Sequence, residues 1–501
     1  MGVFNVYLIG ILIGLGLVRQ GMCQRPQDTP SSEKPGAVST LIEPLEMEPI
    51  FITISPLHRT IKHGSVIIEK EIQLNWNAAA HQNETFDSVA LYTVDPSVYN
   101  EAKPEVLIKI ADYPEGFYQT NVSIASAIFP AGWENTSETS TPEPGEHCLP
   151  FWAGTLVNDV LQFLTCLKIR PTWMHDHRDV LGHLSVLSLL LPGTHNSACY
   201  KKIDLSNIAD IITENTITQD VDVWGQLVYG IRYVNLQTSY YSLKKKQRGP
   251  VDEMNFYISN DMIRIRPLLP VLQDIRRFLE ISQHEIVFLD FHRFPIGMKA
   301  LAHHKVLIDL IEKEFGDLAF PRPDYFLKVP TLETIWKENK RLIIFYGEEP
   351  RLAKASPILW EPLHHFSGRK QTVSGLFHYI EDIMSRSEQI TYTKGLWNVM
   401  AHLTPDPLAF YSHPEQISLR SISENSNRNI SDWFVKYWWK NASIISTDFF
   451  LNTNIINMAV NTNIYKGITM EKDLPTIQYN EAVGADKGAV AEDPPSPNKI
   501  Y

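Results

Sequence analysis

The apolar positions of the chain follow different periods in its two parts. Between Ile50 and about Ala127, apolar and polar residues alternate in short runs such as FITISPL, VIIEKEIQLNW and SVALYTVD. A period of two places one face of a β-strand on a core, and polar turns separate these runs. Several such strands in succession predict a small β-sandwich-like domain, which we assign to residues 50–146.

Beyond Cys148, apolar strands alternate with helical segments. A helix is predicted over 268–281, where apolar residues recur mostly at steps of three and four, and another over 299–315. This alternation is typical of a (β/α) barrel. We therefore predict an α/β fold in which a TIM-type barrel, residues 148–465, follows the sandwich. The predicted strands are VLSLLL (186–191), IRYVNL (231–236), NFYIS (255–259), EIVFLDF (285–291), RLIIFY (341–346), LWNVMA (396–401) and ASIISTDFF (442–450).

The two ends of the chain differ in composition from the predicted domains. Residues 1–23 contain an apolar run that is short and glycine-rich for a membrane anchor, with small residues just before Gln24. This pattern favours a secretory signal peptide. Residues 24–49 are rich in Pro, Ser, Glu and Thr and predict a linker, and the acidic residues 469–501 predict a disordered tail. The polar C-terminus lacks a lipid-anchor pattern.

Composition and cysteine content agree with a secreted globular protein. The 501 residues are 44% hydrophobic with a net charge of −12, which argues against a nucleic-acid surface because such surfaces are normally basic. Without the leader, Cys148, Cys166 and Cys199 would remain, enough for one disulfide and one free thiol in a pairing that the sequence leaves open. Predicted glycosylation sites are Asn83, Asn121, Asn135, Asn429 and Asn441.

One polar segment at a predicted strand end points to chemistry. In LLPGTHNSACYKK, residues 190–202, an apolar strand stops in small and polar residues, so that His195 stands at its end with Asn196 beside it. Side chains at the carboxyl ends of barrel strands form the active sites of this architecture. A histidine there suits acid–base chemistry on a bound phosphate, provided that a second proton-transfer group and positive charge are also present.

This segment and those after it resemble the X domain of phosphatidylinositol-specific phospholipases C. LPGTHNSACY is followed by QLVYGIRYVNLQTSYY, and then by NFYIS and VLQDIRRFLEISQHEIVFLDFHRF, in the order and spacing of that family. The likeness covers about residues 148–465 and closes with STDFF and NMAVNTN. The upstream domain, with LNW and ALYTVDP, resembles the N-terminal module of secreted, insect-type members.

The resemblance implies cleavage of a phosphodiester by internal attack of the inositol 2-hydroxyl. Two histidines of the family usually share the proton transfers, and arginine or carboxylate-bound calcium supplies positive charge. His195 matches the first histidine and Asn196 matches the amide or acid beside it. Asp290 in FLDF is also retained, so the resemblance implies His195 and Asp290 as catalytic residues.

Three positions depart from the family pattern. Asn235 and Gln237 stand where the family has an acid and an arginine, or two acids, and Asn260 stands where the second histidine belongs. An amide carries no charge and cannot act as a general acid near neutral pH. We assign these residues and Asn196 to substrate binding, and expect no metal or other cofactor, since calcium would lack its carboxylate ligands.

Two functions of different classes follow. The first is a phosphoric diester hydrolase acting on an inositol phospholipid, catalytically impaired because it lacks the acid and the cation; His292 and Arg293 are the alternative sources of both. The second is a non-catalytic secreted protein that recognises inositol phosphate or an anionic lipid headgroup. The basic segment KKKQR, residues 244–248, suits peripheral membrane contact.

The sequence predicts a mature glycoprotein that begins near Gln24. Mass spectrometry of protein from a eukaryotic secretory host should find the leader removed and glycan on several of the five asparagines. An uncleaved, unglycosylated product would contradict this prediction.

Overall fold

The computed structural model describes most of the chain between residues 45 and 470, and these residues belong to one compact unit. The predicted signal peptide, the KKKQR segment, Asn83 and Asn135 lie outside the described residues, as do nearly all of the linker and of the tail. No helix within the described part is long and apolar enough to cross a membrane. The described residues are 45–63, 65–76, 86–99, 101–124, 127–134, 141–200, 216–242, 251–323, 329–347, 352, 354, 356–406 and 418–470.

Two antiparallel sheets precede the barrel, as the alternating pattern predicts. One sheet has the strand order β1-β2-β5 and the other the order β4-β3-β6-β7. In the second sheet, β4 alternates between half-buried and exposed residues, as expected of a strand with one face on a core, whereas β3 is buried at every position. The strands are β1 Ile50–His63, β2 Ser65–Trp76, β3 Ser88–Tyr92, β4 Val106–Lys109, β5 Phe117–Ile124, β6 His147–Val157 and β7 Val160–Ile169.

The boundary between the two parts lies later than the sequence pattern indicated. β6 pairs with β3 and β7 in the second antiparallel sheet, so residues 147–169 belong to that sheet and not to the barrel. Apolar runs in β6 and β7 have the same local pattern as barrel strands, and only their long-range pairing separates them. A disulfide between Cys148 and Cys166 joins the two strands, and Cys199 is a buried free thiol.

The barrel is built on one curled parallel sheet. Its strand order is β14-β13-β12-β9-β8-β17-β16-β15, so that the first strand, β8, pairs with both β9 and the last strand, β17. Central strands such as β13 are buried along their whole length, as expected when helices cover the outer face of a parallel sheet. The strands are β8 Leu191–Thr194, β9 Tyr233–Tyr240, β10 Phe256–Asn260, β11 Ile263–Pro267, β12 Val287–Arg293, β13 Leu342–Tyr346, β14 Leu359–Trp360, β15 His364–Phe366, β16 Trp397–Met400 and β17 Ile444–Thr447.

The predicted strand NFYIS is not a parallel barrel strand. It forms β10, which pairs antiparallel with β9 and with β11. The turn between β10 and β11 is short and has Asp261 in a left-handed conformation, with φ 48°, which favours a hairpin. Because β10 runs opposite to β9, its carboxyl end returns to the middle of β9, near Gln237.

Helices cover the outside of the barrel. Leu268–Ile281 coincides with the predicted helix and buries the face that carries Val271, Leu272, Ile275 and Phe278. The next predicted helix begins two residues later than expected and ends at Phe315. The α-helices of the described part are Trp173–Asp176, Arg178–Leu181, Val223–Tyr229, Leu268–Ile281, Leu301–Phe315, Leu332–Lys337, Val373–Ser385, Ser387–Lys394, Leu419–Trp433 and Ile455–Thr469.

A buried ion pair closes the end of the barrel where the strands begin. Arg232 immediately precedes β9, and Glu285 lies two residues before the start of β12. Both side chains are fully buried. The guanidinium group donates to Glu285 Oε2 from Nη2 at 2.6 Å and from Nε at 2.7 Å, and to the carbonyls of Pro171, Leu227 and Ile231. We expect this ion pair to stabilise the fold and to take no part in chemistry, because the active sites of such barrels lie at the opposite end.

We expect Glu285→Gln to destabilise the fold by about 3–5 kcal/mol, because it leaves the buried Arg232 guanidinium without a counter-charge. Urea unfolding followed by circular dichroism measures this loss. The matched control is Lys337→Ala, which breaks an exposed ion pair with Glu333 and should cost less than about 1 kcal/mol. Equal effects of the two substitutions would contradict the assignment.

Candidate active site

The alternation of side chains along β9 and β12 directs polar groups into the barrel. Tyr233, Asn235 and Gln237 follow one another at every second position of β9, and Asp290 of β12 is paired directly opposite Asn235. Gly193 of β8 leaves room for this layer, since a Cβ there would lie 2.6 Å from the ring of Tyr233. The barrel interior below the mouth is therefore polar.

His195 is held by a carboxylate from the other end of the sequence. Its Nδ1 lies 2.9 Å from Oδ1 of Asp448, which directly follows β17. The backbone N–H of His195 donates to the carbonyl of Thr447, and the Gln219 side chain donates to the carbonyls of both His195 and Thr447. A hydrogen bond at Nδ1 fixes the ring and leaves Nε2 as the proton acceptor.

The residues that follow the two partners have unusual backbone conformations. Asn196 has φ 43° and Phe449 has φ 47°, both in the left-handed region. Asparagine tolerates this region, whereas a bulky aromatic residue does so at a cost in conformational energy. Such outliers cluster at functional sites, and here they fix the directions in which His195 and Asp448 point.

The four amide residues singled out from the sequence are joined by hydrogen bonds that all involve Asn196, and we call them the amide network: Asn196, Asn235, Gln237 and Asn260. The Asn196 side chain accepts from Gln237 Nε2 at 3.0 Å and donates to Asn260 Oδ1 at 3.2 Å, and its backbone N–H donates to Asn235 Oδ1 at 3.3 Å. The remaining amide oxygen, Oε1 of Gln237, accepts from the backbone N–H of Asp261. All four side-chain oxygens are therefore engaged by donors of the protein.

Asp290 lies below the amide network in the barrel interior. It is fully buried, and its Oδ2 accepts from the Tyr233 hydroxyl at 2.6 Å and contacts His365 Nε2 at 2.9 Å. Its Oδ1 has no hydrogen-bond partner among the described residues. The structure thus brings Asp290 close to the amide network through Asn235, whose Nδ2 lies 3.4 Å from Oδ2. Its catalytic role stays a prediction.

Two further histidines line this end of the barrel in neutral form. The ring of His402 stacks on that of His195 with centroids 4.1 Å apart, and burial lowers the pKa of His402 to about 4. The ring centroids of His292 and His365 are 5.0 Å apart. Burial is the main cause, and the charge of His365 the second, that lowers the pKa of His292 to about 3. Neither imidazole therefore carries a proton to donate as a cation at neutral pH.

Arg293 lies at the rim, at the position of β12 that pairs in register with Gln237 of β9. Its side chain is 55% exposed, and its guanidinium group pairs with the Asp261 carboxylate. Arg293, which the sequence offered as a source of positive charge, thus forms an ion pair with a carboxylate on the β10–β11 hairpin.

The residues at the mouth do not fit calcium. Calcium sites in proteins normally include several carboxylates, whereas the amide network offers only neutral oxygens, each already accepting a hydrogen bond. His195, His402 and Asp448 present ligand atoms within 4.8 Å of one another. Their two rings lie nearly parallel, at 12°, so that a single ion could not lie in both ring planes.

Sequence reasoning missed Asp448, His402 and His365. Asp448 follows β17 directly and His402 follows β16 by two residues, just as His195 follows β8. Applying the strand-end rule to every predicted strand would have found His402, which directly follows the predicted strand 396–401. Asp448 lies inside the predicted strand 442–450, so the rule would have missed it. His365 sits on the three-residue strand β15, which has no recognisable pattern.

The free energy of unfolding should fall as pH decreases from 6.5 to about 4, in part through His402. Its pKa is depressed in the folded protein, so the unfolded chain takes up the extra proton in this window, at up to about 1.4 kcal/mol per pH unit. Urea unfolding across the window should show a shallower slope for His402→Asn than for the parent. His378→Asn, at an exposed site, is the control, and equal slopes for parent and His402→Asn would refute this account.

The chain is similar to known proteins in sequence and in structure. No family model matches the chain. PI-PLC X domain-containing protein 1 of Homo sapiens is 24% identical over 289 residues, covering 54% of this chain and 84% of that protein. PI-PLC X domain-containing protein 2 of Homo sapiens is 27% identical over 205 residues, covering 38% of this chain and 63% of that protein, which is less than two thirds.

Among solved structures, the phosphatidylinositol-specific phospholipase C from Listeria monocytogenes aligns with a TM-score of 0.42 and 15% identity, over 58% of this chain and 98% of that one. The argument for a family rests on the sequence matches, because both of these relatives are named for the PI-PLC X domain. Together with LPGTHNSACY and FLDF at the ends of parallel barrel strands, these matches support the assignment of the chain to the PI-PLC X-domain proteins.

Proposed function

We propose that the chain is a PI-PLC-type phosphoric diester hydrolase with strongly reduced turnover, which binds an inositol phosphodiester at the barrel mouth. The observation that carries this proposal is the combination of an intact His195–Asp448 pair with a neutral amide network beside it. One half of the proton-transfer machinery is present, and the other half is replaced by amides.

The His195–Asp448 pair supports the first step. Nε2 of His195 takes the proton from the inositol 2-hydroxyl while that oxygen forms a bond to phosphorus, and Asp448 stabilises the imidazolium that results. The bond from phosphorus to the diacylglycerol oxygen breaks in the same reaction. That oxygen then needs a proton, and the phosphoryl oxygens need positive charge.

The amide network supplies neither of these. Asn260 cannot donate a proton as an acid would, and Gln237 offers a dipole in place of a charge. A positioned general acid is worth about 10²–10⁴ in rate and a cationic clamp about 10³–10⁵, although such losses are less than additive. The neutral His292 and His402 and the paired Arg293 do not replace them.

Binding without turnover is the second candidate, and the neutral amide network favours it. If the Gln237 and Asn260 side chains turn toward a ligand, their N–H groups donate to phosphate oxygens without any need for an ion. The ligand is then an inositol phosphate or the headgroup of an anionic lipid. The curated relatives are named only for their domain and do not decide between the two candidates.

We extend the proposal to a secreted protein that contacts membranes peripherally. The Cys148–Cys166 disulfide supports an oxidising compartment, and Asn121 and Asn441 of the glycosylation triplets are exposed. Met262, 75% exposed at the tip of the hairpin that carries Asn260, offers an apolar contact to a lipid surface. The KKKQR segment would add charge attraction to anionic headgroups.

Purified protein should release little or no diacylglycerol from phosphatidylinositol vesicles, with or without calcium. The double variant Gln237→Arg and Asn260→His should raise release by about 10²-fold or more over the parent, because it restores cation and acid together. Each single variant should do little. We leave Asn235 unchanged, since an aspartate there would lie beside the Asp290 carboxylate.

His195→Ala in the double-variant background is the control and should abolish the gain. Robust release by the parent that depends on His195 would contradict the proposed impairment. Vesicle co-sedimentation of the parent tests binding separately. If the parent protein shows neither diacylglycerol release nor co-sedimentation, both candidates are contradicted.

A further inference from the structure

A second polar cavity, of about 330 Å³, lies between the N-terminal sheet and the helix Leu419–Trp433. β1, β2 and β5 supply one wall, and the helix and Asn452 supply the other. The cavity shares no lining residue with the barrel mouth. Its volume falls within the range of roughly 300–1,000 Å³ that is usual for small-molecule sites.

The floor of the cavity is made of buried polar side chains that hold one another in place. Thr53, Gln73 and Asn75 are each less than 5% exposed. The Asn75 amide donates to the Thr53 hydroxyl at 2.9 Å, and that hydroxyl donates to Gln73 Oε1 at 3.0 Å. Gln73 Nε2 in turn donates to the Glu424 carboxylate on the helix. The floor is therefore rigid before any ligand arrives.

One buried acceptor in this cavity has no donor. Asn452 is 5% exposed and lines the cavity, and its Nδ2 donates to Gln73 Oε1 at 2.8 Å. Its Oδ1 makes no hydrogen bond with any described residue. A buried acceptor without a partner is costly, and a hydroxyl group in the cavity would satisfy it.

The upper wall offers an aromatic surface and further amides. Phe117 of β5 lines the cavity with the Arg428 guanidinium 5.0 Å from its ring centroid. Gln119, two residues along the same face of β5, and Asn425 of the helix stand at the exposed rim. The wall thus combines one apolar ring with groups that both donate and accept hydrogen bonds.

The charges of the lining cancel. Glu424 and Arg428 are its single acid and single base, so that neither a phosphate nor a cation finds an excess of opposite charge. Carboxamides, which make up most of the lining, match hydroxyl groups because both kinds of group donate and accept.

We propose that this cavity binds a neutral sugar ring, with its hydroxyl groups on the amide floor and its apolar face against Phe117. The site is independent of the chemistry proposed for the barrel mouth. Two sources of such a ring exist. Asn429, itself within a glycosylation triplet, lines the cavity, so that the ring comes either from glycan on this chain or from a separate glycan.

Saturation-transfer NMR with N-acetylglucosamine and glucose as probes, and inorganic phosphate titrated as the charged control, tests the proposal. Protein made in the bacterial periplasm carries no glycan and should bind at least one sugar with a Kd of about 1 mM, and should not bind phosphate. If glycosylated protein no longer binds the sugar, the chain's own glycan is the occupant. If both forms bind equally, the source is a separate glycan.

Variants assign the binding to this cavity. Phe117→Leu keeps the apolar volume but removes the ring, and it should weaken sugar binding by about tenfold. Gln119→Ala should weaken binding, whereas its match Gln162→Ala, at an exposed position of β7, should not. Thermal unfolding checks that all variants are folded. Absence of sugar binding by the unglycosylated protein, or unchanged binding by folded Phe117→Leu, would overturn the proposal.

Discussion

The parallel hydrogen-bond ladder between β8 and β17 joins the first barrel strand to the last, and the candidate site depends on it. It pairs Gly193 with Ser446 and Thr194 with Thr447, so that the residues which follow both strands meet. His195 and Asp448 are therefore neighbours although 253 positions separate them in the sequence. Without this ladder the histidine would have no partner at Nδ1, and its ring would have neither a fixed orientation nor a defined acceptor atom.

A second constraint comes from the polar interior that the ladder surrounds. The Tyr233 hydroxyl, the Asp290 carboxylate and the His365 ring form a connected group below the mouth. Asn235 links that group to the amide network. Each side-chain oxygen of the network accepts a hydrogen bond from another group of the described residues. Under the proposed function, a network of neutral amides suits recognition better than turnover, because it supplies neither an acidic proton nor positive charge to the transition state.

Much of the fold and part of the candidate site could be predicted from the sequence, and the exceptions have a physical cause. The helix 268–281 and the parallel strands follow from local periodicity, which a residue and its near neighbours determine. The placement of β6 and β7, and the antiparallel course of β10, depend on distant partners that local patterns do not encode. For the same reason His195 was recognisable from its own segment, whereas its partner Asp448 was not.

The proposed function requires that the mouth receive an inositol phosphate on neutral amides beside a competent base. A crystal structure with myo-inositol 1-phosphate soaked into the protein tests it most directly. The account predicts the 2-hydroxyl next to Nε2 of His195 and the phosphate on the N–H groups of Gln237 and Asn260. A phosphate bound instead by Arg293 and His292, or a mouth that stays empty at saturating ligand, would contradict it.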